Sequence, residues 1–294
     1  MASTTVTGPL RDSLARMILT KVAGPDPQTE RMRVHGTPGP RWFAPDRPIR
    51  RVHGDASMFA GGLRALLLQS LHPLAMAAVA AHSGYRGDPW GRLRRTSYFL
   101  AITTYGSIPD AEEAIAHVQA VHERVRGTSP DGVKYRASDP HLLKWVHLAE
   151  VDSFLAAHQR YGAQPLNALE QDQYVEDAAL VAAKLGVVDP PTTVAELREL
   201  LKEYQPELRG TTQARQAARF MLVHPPVPFA ARPAYGVLAA AAVGLLPWWT
   251  RLPLRLPYLP LAERTVVRAA GDGLTRTIRW ALTSPTLAET GAEA

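Results

Sequence analysis

The sequence contains no cysteine among its 294 residues. This absence excludes disulfide bonds, zinc–thiolate sites, iron–sulfur clusters, thiolate-ligated haem and the covalent C-x-x-C-H attachment of haem. Any bound metal ion must therefore be held by histidine, carboxylate or other nitrogen and oxygen donors.

Signals for nucleic-acid binding are also missing, because the chain has no polybasic run, no RNP-like motif and no basic zipper. Its 33 Lys and Arg against 27 Asp and Glu give a formal net charge of only +6. We therefore expect no nucleic-acid partner. A mild basic excess is compatible with an anionic ligand or with an anionic membrane surface.

The sequence has no apolar run long enough for a spanning helix. The longest, Ala234 to Pro247, has 14 residues, whereas a spanning helix needs roughly 20. The first 30 residues lack the charged-then-apolar pattern of a signal peptide. We therefore expect a cytoplasmic protein.

A peripheral membrane contact stays open as an alternative location. Trp248 and Trp249 lie next to Arg251, and aromatic and arginine side chains are typical of membrane interfaces. The competing interpretation, which we favour, is a buried helix followed by a packed proline-rich loop.

Hydrophobic periodicity predicts an all-α fold. The residues are 46% hydrophobic and 20% charged, which is typical of a globular protein. From residue 56 onward the pattern is helical, and no alternating strand pattern competes with it. We expect about eight to eleven helices in a single domain over residues 55–285, preceded by a helix and a proline-rich arm (1–54) and followed by a disordered tail (286–294).

Capping residues predict several helix ends. The most apolar helix should break at Pro73. One helix should begin at Ser107 and close on Gly127, and another should run from Asp139 and Pro140 to Gly162. Later helices are predicted over 211–223, 228–245 and 261–283.

Polar residues interrupt the apolar helix faces at helical spacing. Because burying an unpaired charge costs several kcal/mol, such residues together indicate a polar pocket. They are Gln69 with His72, Arg92 with Arg95 and Thr96, His122 with Arg126, and His147 with Glu150.

Each of these residues also has a structural interpretation. His72 can cap the helix break at Pro73, and the Arg92 group can be a solvated basic face. His122 and His147 can be ordinary core histidines. Histidine is nonetheless the commonest metal ligand, and neutral imidazole suits haem iron.

Two long motifs resemble the family of latex clearing proteins (rubber oxygenases) and MpaB-type oxygenases, over roughly residues 55–250. The first is "LLLQSLHPLAMAAVAAHSGYRGDPWGRLRRTSYFL" and the second is "VHERVRGTSPDGVKYRASDPHLLKWVHLAEVDSFLAAHQRYG". The matching positions are Gln69, His72-Pro73, His82-Ser83, Asp88-Pro89, Arg92-Leu93-Arg94-Arg95-Thr96, His122, Val125, Tyr135, Asp139-Pro140, Trp145-Val146-His147 and Tyr161-Gly162.

This resemblance implies a globin-reminiscent domain that encloses a pocket for non-covalent haem b, with His122 as the proximal iron ligand. It implies that Arg92 and Thr96 lie on the distal side. Arg95 stands where the latex clearing branch has a lysine, and a guanidinium is a poor iron ligand because it stays protonated. Other expected cofactor-binding residues are Gln69, His72, Arg126 and His147.

The resulting hypothesis is a haem b-dependent oxygenase that uses O2 on a small apolar substrate, isoprenoid or lipid-like. A dioxygenase is favoured over a monooxygenase. The alternative is a non-enzymatic haem carrier or gas sensor. A helical di-iron protein would need two Glu-x-x-His motifs, whereas His147 and Glu150 occur in the reverse order. The oligomeric state stays open.

Overall fold

Prolines and small polar side chains set the helix starts in the computed structural model, which describes residues 7–22, 24 and 26–283. The helices are α1 (Thr7–Val22), α2 (Pro27–Arg31), α3 (Pro48–His53), α4 (Met58–Gln69), α5 (Pro73–His82), α6 (Pro89–Tyr105), α7 (Ile108–Arg124), α8 (Pro140–Tyr161), α9 (Ala168–Leu185), α10 (Val194–Tyr204), α11 (Thr212–Val223), α12 (Arg232–Leu245), α13 (Arg251–Leu254), α14 (Pro260–Ala262) and α15 (Arg268–Leu282).

The all-α prediction is confirmed. Within the described residues, eleven of these helices have ten residues or more. Single turns of other helix types supplement them, at Met32–Gly36, Gln205–Glu207, Phe229–Ala231, Trp248–Thr250 and Glu263–Val267.

Side-chain caps explain where the longer helices begin. The side chains of Ser107 and Asp139 accept hydrogen bonds from the first turns of α7 and α8. Asn167 and Glu170 form a reciprocal capping box at α9. Each such cap satisfies amide groups that a helix start leaves unpaired, and is worth about 1 kcal/mol.

The longest helix, α8, lies at the centre of the domain. It contacts α3, α4, α5, α9, α10, α12 and α15. The main core packs along it, with Trp145, Leu148 and Tyr174 fully buried. After His141, every residue of α8 is buried or partly buried, so the polar groups along the rest of this helix are at least partly withdrawn from solvent.

The predicted break at Pro73 separates α4 from α5, and the two axes bend by 109°. α4 runs along α8, and Gly61 is the point of close approach. A Cβ atom at Gly61 would lie 2.8 Å from Cδ1 and 3.2 Å from Cα of Phe154. Glycine therefore sets the distance between the two most extensively packed helices.

A β-hairpin that the sequence analysis did not predict follows α7. Strands β1 (Arg126–Thr128) and β2 (Lys134–Arg136) pair antiparallel, with Gly127 opposite Tyr135. The expected helix end at Gly127 is thus wrong, because α7 ends at Arg124. Strands of three residues are too short to show an alternating pattern, and the buried Tyr135 fixes the hairpin against α5.

Other boundaries differ less. The helix predicted over 211–223 is α11, and that over 228–245 begins as a separate turn before α12. The helix predicted over 261–283 is divided into α14, a π-helical turn and α15. The predicted tail, 286–294, lies outside the described residues.

Candidate functional site

The α6–α7 pair brings two of the predicted groups to one end of the fold. The two helices pack on each other and are joined only by Gly106 and Ser107, so they run antiparallel. Arg92 and Thr96 lie in the first turns of α6, and His122 lies in the last turn of α7. The start of α6 therefore lies beside the end of α7.

His122 is partly buried, and its Nδ1 atom is fully buried without a hydrogen-bond partner among the described residues. Burial lowers the pKa of His122, against an opposing effect of the Glu123 charge. The ring is therefore a neutral imidazole at neutral pH. Neutral imidazole is the form that binds a metal ion, and an unpartnered buried nitrogen costs free energy.

Arg92 is also largely withdrawn from solvent, and burial lowers its pKa. One of its guanidinium nitrogens, Nη1, donates to Ser83 Oγ at 3.0 Å. The Thr96 hydroxyl is exposed and donates to the Arg92 carbonyl at 3.1 Å. Both groups are thus held in place at the start of α6, next to the loop that contains Ser83.

The other two arginines that the sequence singled out are exposed. Arg95 forms a loose ion pair with Asp88, at 3.6 Å between Nη1 and Oδ2. Arg126 lies in β1 with its side chain in solvent. Exposed pairs of this kind contribute little to stability.

His147 and Glu150 share one face of α8, and both are partly buried. Nε2 of His147 has no partner among the described residues, and burial lowers its pKa to about 4. Burial raises the pKa of Glu150 to about 7. No described side chain forms a hydrogen bond or ion pair with the Glu150 carboxyl group. One group is thus a neutral base and the other an acid that titrates near neutral pH.

Tyr174, His53 and Thr104 come from other helices and were not predicted from the sequence, and Tyr174 connects them to Glu150. The hydroxyl of the fully buried Tyr174 has no partner among the described residues, and its pKa is raised by burial and by nearby Glu150. His53 Nδ1 lies 2.8 Å from Thr104 Oγ1, and burial lowers the His53 pKa to about 3. Only the three-residue spacing of His147 and Glu150 signalled this interior group.

Gln69 lies at the end of α4 and joins it to α8 mainly through its backbone. The Trp145 indole donates to the Gln69 carbonyl at 3.1 Å. The side-chain amide of Gln69 donates to the Val146 carbonyl at 3.4 Å. These contacts fix the end of α4 against the first turns of α8.

A separate cluster at the start of α5 and α8 offers ligands for a metal ion. Single ligand atoms of His72, His141 and Glu207 all lie within 4.8 Å of one another. His141 Nε2 lies 2.9 Å from Glu207 Oε2, and His72 Nε2 lies 3.4 Å from the same oxygen. Two imidazoles and a carboxylate can hold a divalent transition-metal ion.

The capping role predicted as the alternative for His72 is confirmed. Its Nδ1 atom accepts from the Ala75 amide at the long distance of 3.5 Å. This contact favours a proton on Nε2, so a metal ion bound there would displace both that proton and the cap. His72 Nε2 is nonetheless buried without a hydrogen-bond partner, as is the Nδ1 atom of His122, so the cluster remains a second candidate ligand set.

None of these residues lines either of two surface cavities. One of about 600 Å³ is lined by residues between Thr29 and Pro38. The other, of about 210 Å³, is lined by residues of the segment from Gly244 to Arg268.

The residues of the predicted membrane contact differ in exposure. Trp248 is exposed, whereas Trp249 packs against the core and Arg251 is buried in an ion pair with Glu263. Among the described residues no single helix is both long and apolar enough to cross a membrane. Two sharply bent pairs of segments, 58–69 with 73–82 and 229–245 with 248–254, reach that length and composition only together.

Comparison with known proteins places the chain among oxygenases. The family described as ER-bound oxygenase mpaB/B'/rubber oxygenase, catalytic domain, matches residues 50–280. The chain belongs to this family. The match covers every residue that the sequence analysis assigned to the cofactor site and confirms the resemblance seen in the two motifs.

Two curated relatives are similar over a shorter stretch. An uncharacterised protein of Mycobacterium bovis and one of Mycobacterium tuberculosis are each 33% identical over 111 residues. The matched stretch is 36% of this chain and spans 43% of the length of either relative. No solved structure matches the chain significantly.

Proposed function

We propose that this protein is a haem b-dependent oxygenase and that His122 is the proximal ligand of the iron. The observation that supports the proposal is the neutral, partly buried imidazole of His122, whose Nδ1 atom has no partner among the described residues. In a chain of an oxygenase family, such a histidine fits an axial ligand. Bound haem would supply the iron that activates O2.

The first turns of α6 would supply the distal hydrogen-bond donors, Arg92 and Thr96. Arg92 is already held by Ser83, and the Thr96 hydroxyl donates to the Arg92 carbonyl until a ligand competes for it. A donor fixed where negative charge develops is worth about 3 kcal/mol of transition-state stabilisation. Arg95 is also on this part of α6, but it pairs with Asp88 in solvent, so we assign it to the rim.

The interior face of α8 would store a proton. Glu150 is partly protonated at neutral pH, because burial raises its pKa to about 7, and His147 lies one turn away on the same face. A group with a pKa near the working pH is best suited to general acid and base catalysis. We therefore assign proton storage to the Glu150 carboxyl group. His147, Gln69, His72 and Arg126 remain proposed cofactor contacts.

The proposed substrate is apolar, an isoprenoid or lipid-like chain, and a dioxygenase reaction is favoured over a monooxygenase reaction. The proposal extends to residues 55–285 as the catalytic domain, with 1–54 as an accessory arm. A peripheral membrane contact is part of it, because substrates of this class dissolve in lipid.

Turnover with isotopically labelled O2 tests the reaction class. The reduced protein would receive polyisoprenoid and carotenoid-like chains without any reducing system. Carbonyl products that carry label in both new oxygens over many turnovers are expected. Product only in the presence of a reductase would reject the dioxygenase reaction in favour of a monooxygenase. Reversible O2 or CO binding without any product would favour a carrier or gas sensor instead.

A further inference from the structure

The segment between α13 and α15 exposes an unusual amount of apolar surface. Residues 257–262, "PYLPLA", are six consecutive exposed residues, and none of them is charged. Runs of this kind are avoided on protein surfaces unless they serve a contact. The segment is therefore a candidate for an interaction surface.

Four large side chains in and around this segment point into solvent. The exposed fraction is 87% for Leu252, 81% for Leu261, and 72% for both Trp248 and Val266. We call these four residues, with Tyr258, Arg255, Arg264 and Arg268, the C-terminal surface.

The C-terminal surface is built on a fixed scaffold. Buried Arg251 donates to the Pro257 carbonyl at 2.9 Å and pairs with Glu263 at 3.1 Å. Glu263 also accepts from the Leu259 amide at 3.3 Å. These bonds hold the backbone of the exposed run in one conformation, so its apolar side chains are fixed facing solvent.

Aromatic and basic side chains meet at one place on this surface. Trp248, Tyr258, Arg264 and Arg268 line the same cavity of about 210 Å³. Between residues 248 and 268 there are four arginines and one acidic residue, Glu263. Because Arg251 already neutralises Glu263, the remaining exposed charges of the C-terminal surface are all positive.

We propose that the C-terminal surface docks on an anionic lipid membrane. Leucine, valine and aromatic side chains enter the boundary between headgroups and acyl chains, to a depth of roughly 5–10 Å. Arginines beside them bind lipid phosphates, and each contributes about 1 kcal/mol near an anionic surface. Tryptophan and tyrosine suit this boundary because one end of each is apolar and the other polar.

Charge favours a lipid membrane over a second copy of the chain. A two-fold symmetric contact through this surface would bring the same patch of each subunit together. Arg264 and Arg268 would then face their own copies without an acidic group between them. Like charges in an interface cost several kcal/mol, whereas lipid phosphates complement the arginines.

The purpose of this membrane contact rests on the proposed function, because it would bring the protein to a lipid-like substrate. The test of the contact does not involve haem. Phosphatidylcholine vesicles that contain phosphatidylglycerol should carry the protein to the top of the gradient in a flotation assay. Added salt should weaken this binding. Leu252→Glu with Leu261→Glu should weaken binding at least roughly tenfold. Arg264→Gln with Arg268→Gln should weaken it roughly 10- to 30-fold.

Matched controls lie elsewhere on the chain. Leu169→Glu replaces an exposed leucine on α9, and Arg198→Gln replaces an exposed arginine on α10. Both controls should float like the unchanged protein, and so should His122→Ala, which separates lipid binding from haem binding. Unchanged circular dichroism spectra and unfolding midpoints of the surface variants would verify their folding.

Two results would overturn the proposal. One is a protein that does not float with these vesicles and remains monomeric in sedimentation, which would leave a protein partner as the occupant. The other is a stable dimer in solution that Leu252→Glu with Leu261→Glu dissociates, which would make the surface a contact between copies.

Discussion

At the scale of the residue, Glu150 makes the clearest prediction about stability. In the unfolded chain its carboxyl group ionises near the ordinary pKa of 4.5, whereas in the folded protein burial raises that pKa to about 7. The folded state therefore prefers the protonated form. As pH rises from 4.5 to 7, ionisation increasingly favours the unfolded state, and the cost is complete above pH 7.

Replacement of Glu150 by glutamine removes this cost. Glu150→Gln should raise the free energy of unfolding by on the order of 1–3 kcal/mol at about pH 8. The gain should shrink as pH falls through 7 and vanish below about pH 4.5. Denaturant unfolding across this range measures it, with exposed Glu199→Gln as the control. A gain that does not change with pH would show that Glu150 is not held protonated.

The sequence predicted the identity of several site residues better than their contacts. The spacing of His122 with Arg126 and of Arg92 with Thr96 identified polar groups at helical intervals. The packing of α6 on α7 then brings His122, Arg92 and Thr96 to one end of this helix pair. Spacing could not reveal that Arg95 pairs with Asp88 in solvent. It also could not reveal Tyr174 and His53, because they enter the interior from other helices, α9 and α3.

At the scale of the element, the contact between α4 and α8 depends on one glycine. A methyl group at Gly61 would lie 2.8 Å from Phe154 Cδ1 and 3.2 Å from the Phe154 backbone, which cannot rotate away. At Gly62, the nearest atom would be 3.9 Å away. The two adjacent glycines therefore form a matched pair.

Alanine should have opposite effects at these two positions. Gly61→Ala should lower the free energy of unfolding by about 1–3 kcal/mol, because it forces the helices apart. Gly62→Ala should raise it by about 0.5–1 kcal/mol, because alanine restricts the unfolded chain and favours the helix. Thermal and denaturant unfolding measure both. Equal effects of the two substitutions would contradict the close approach of α4 and α8.

Helix boundaries were predictable where a local signal fixes them. Asp139, Pro140 and Gly162 bracket α8 as expected, because capping acts within one turn. The hairpin after α7 was missed because its stability comes from Tyr135 packing against another element, and its strands have only three residues. The π-helical turn at Glu263–Val267 likewise lacks a local signal, since Glu263 serves the buried Arg251.

At the scale of the whole molecule, an all-α domain of an oxygenase family carries a partly buried histidine, His122, with an unpartnered ring nitrogen. In the proposed function, the α6–α7 pair would supply the ligand and the donors, α8 the acid Glu150, and the C-terminal surface the membrane contact. The substrate and the cofactor are proposals that rest on this arrangement.

The absorption spectrum of the protein purified from haem-replete cells tests the central claim most directly. We expect a Soret band at stoichiometric haem content, its loss in His122→Ala, and its retention in His117→Ala, which changes an exposed histidine of the same helix. Added imidazole should restore the band in His122→Gly. A protein without a Soret band, or a His122→Ala variant with the unchanged spectrum, would contradict the assignment of His122 as the iron ligand.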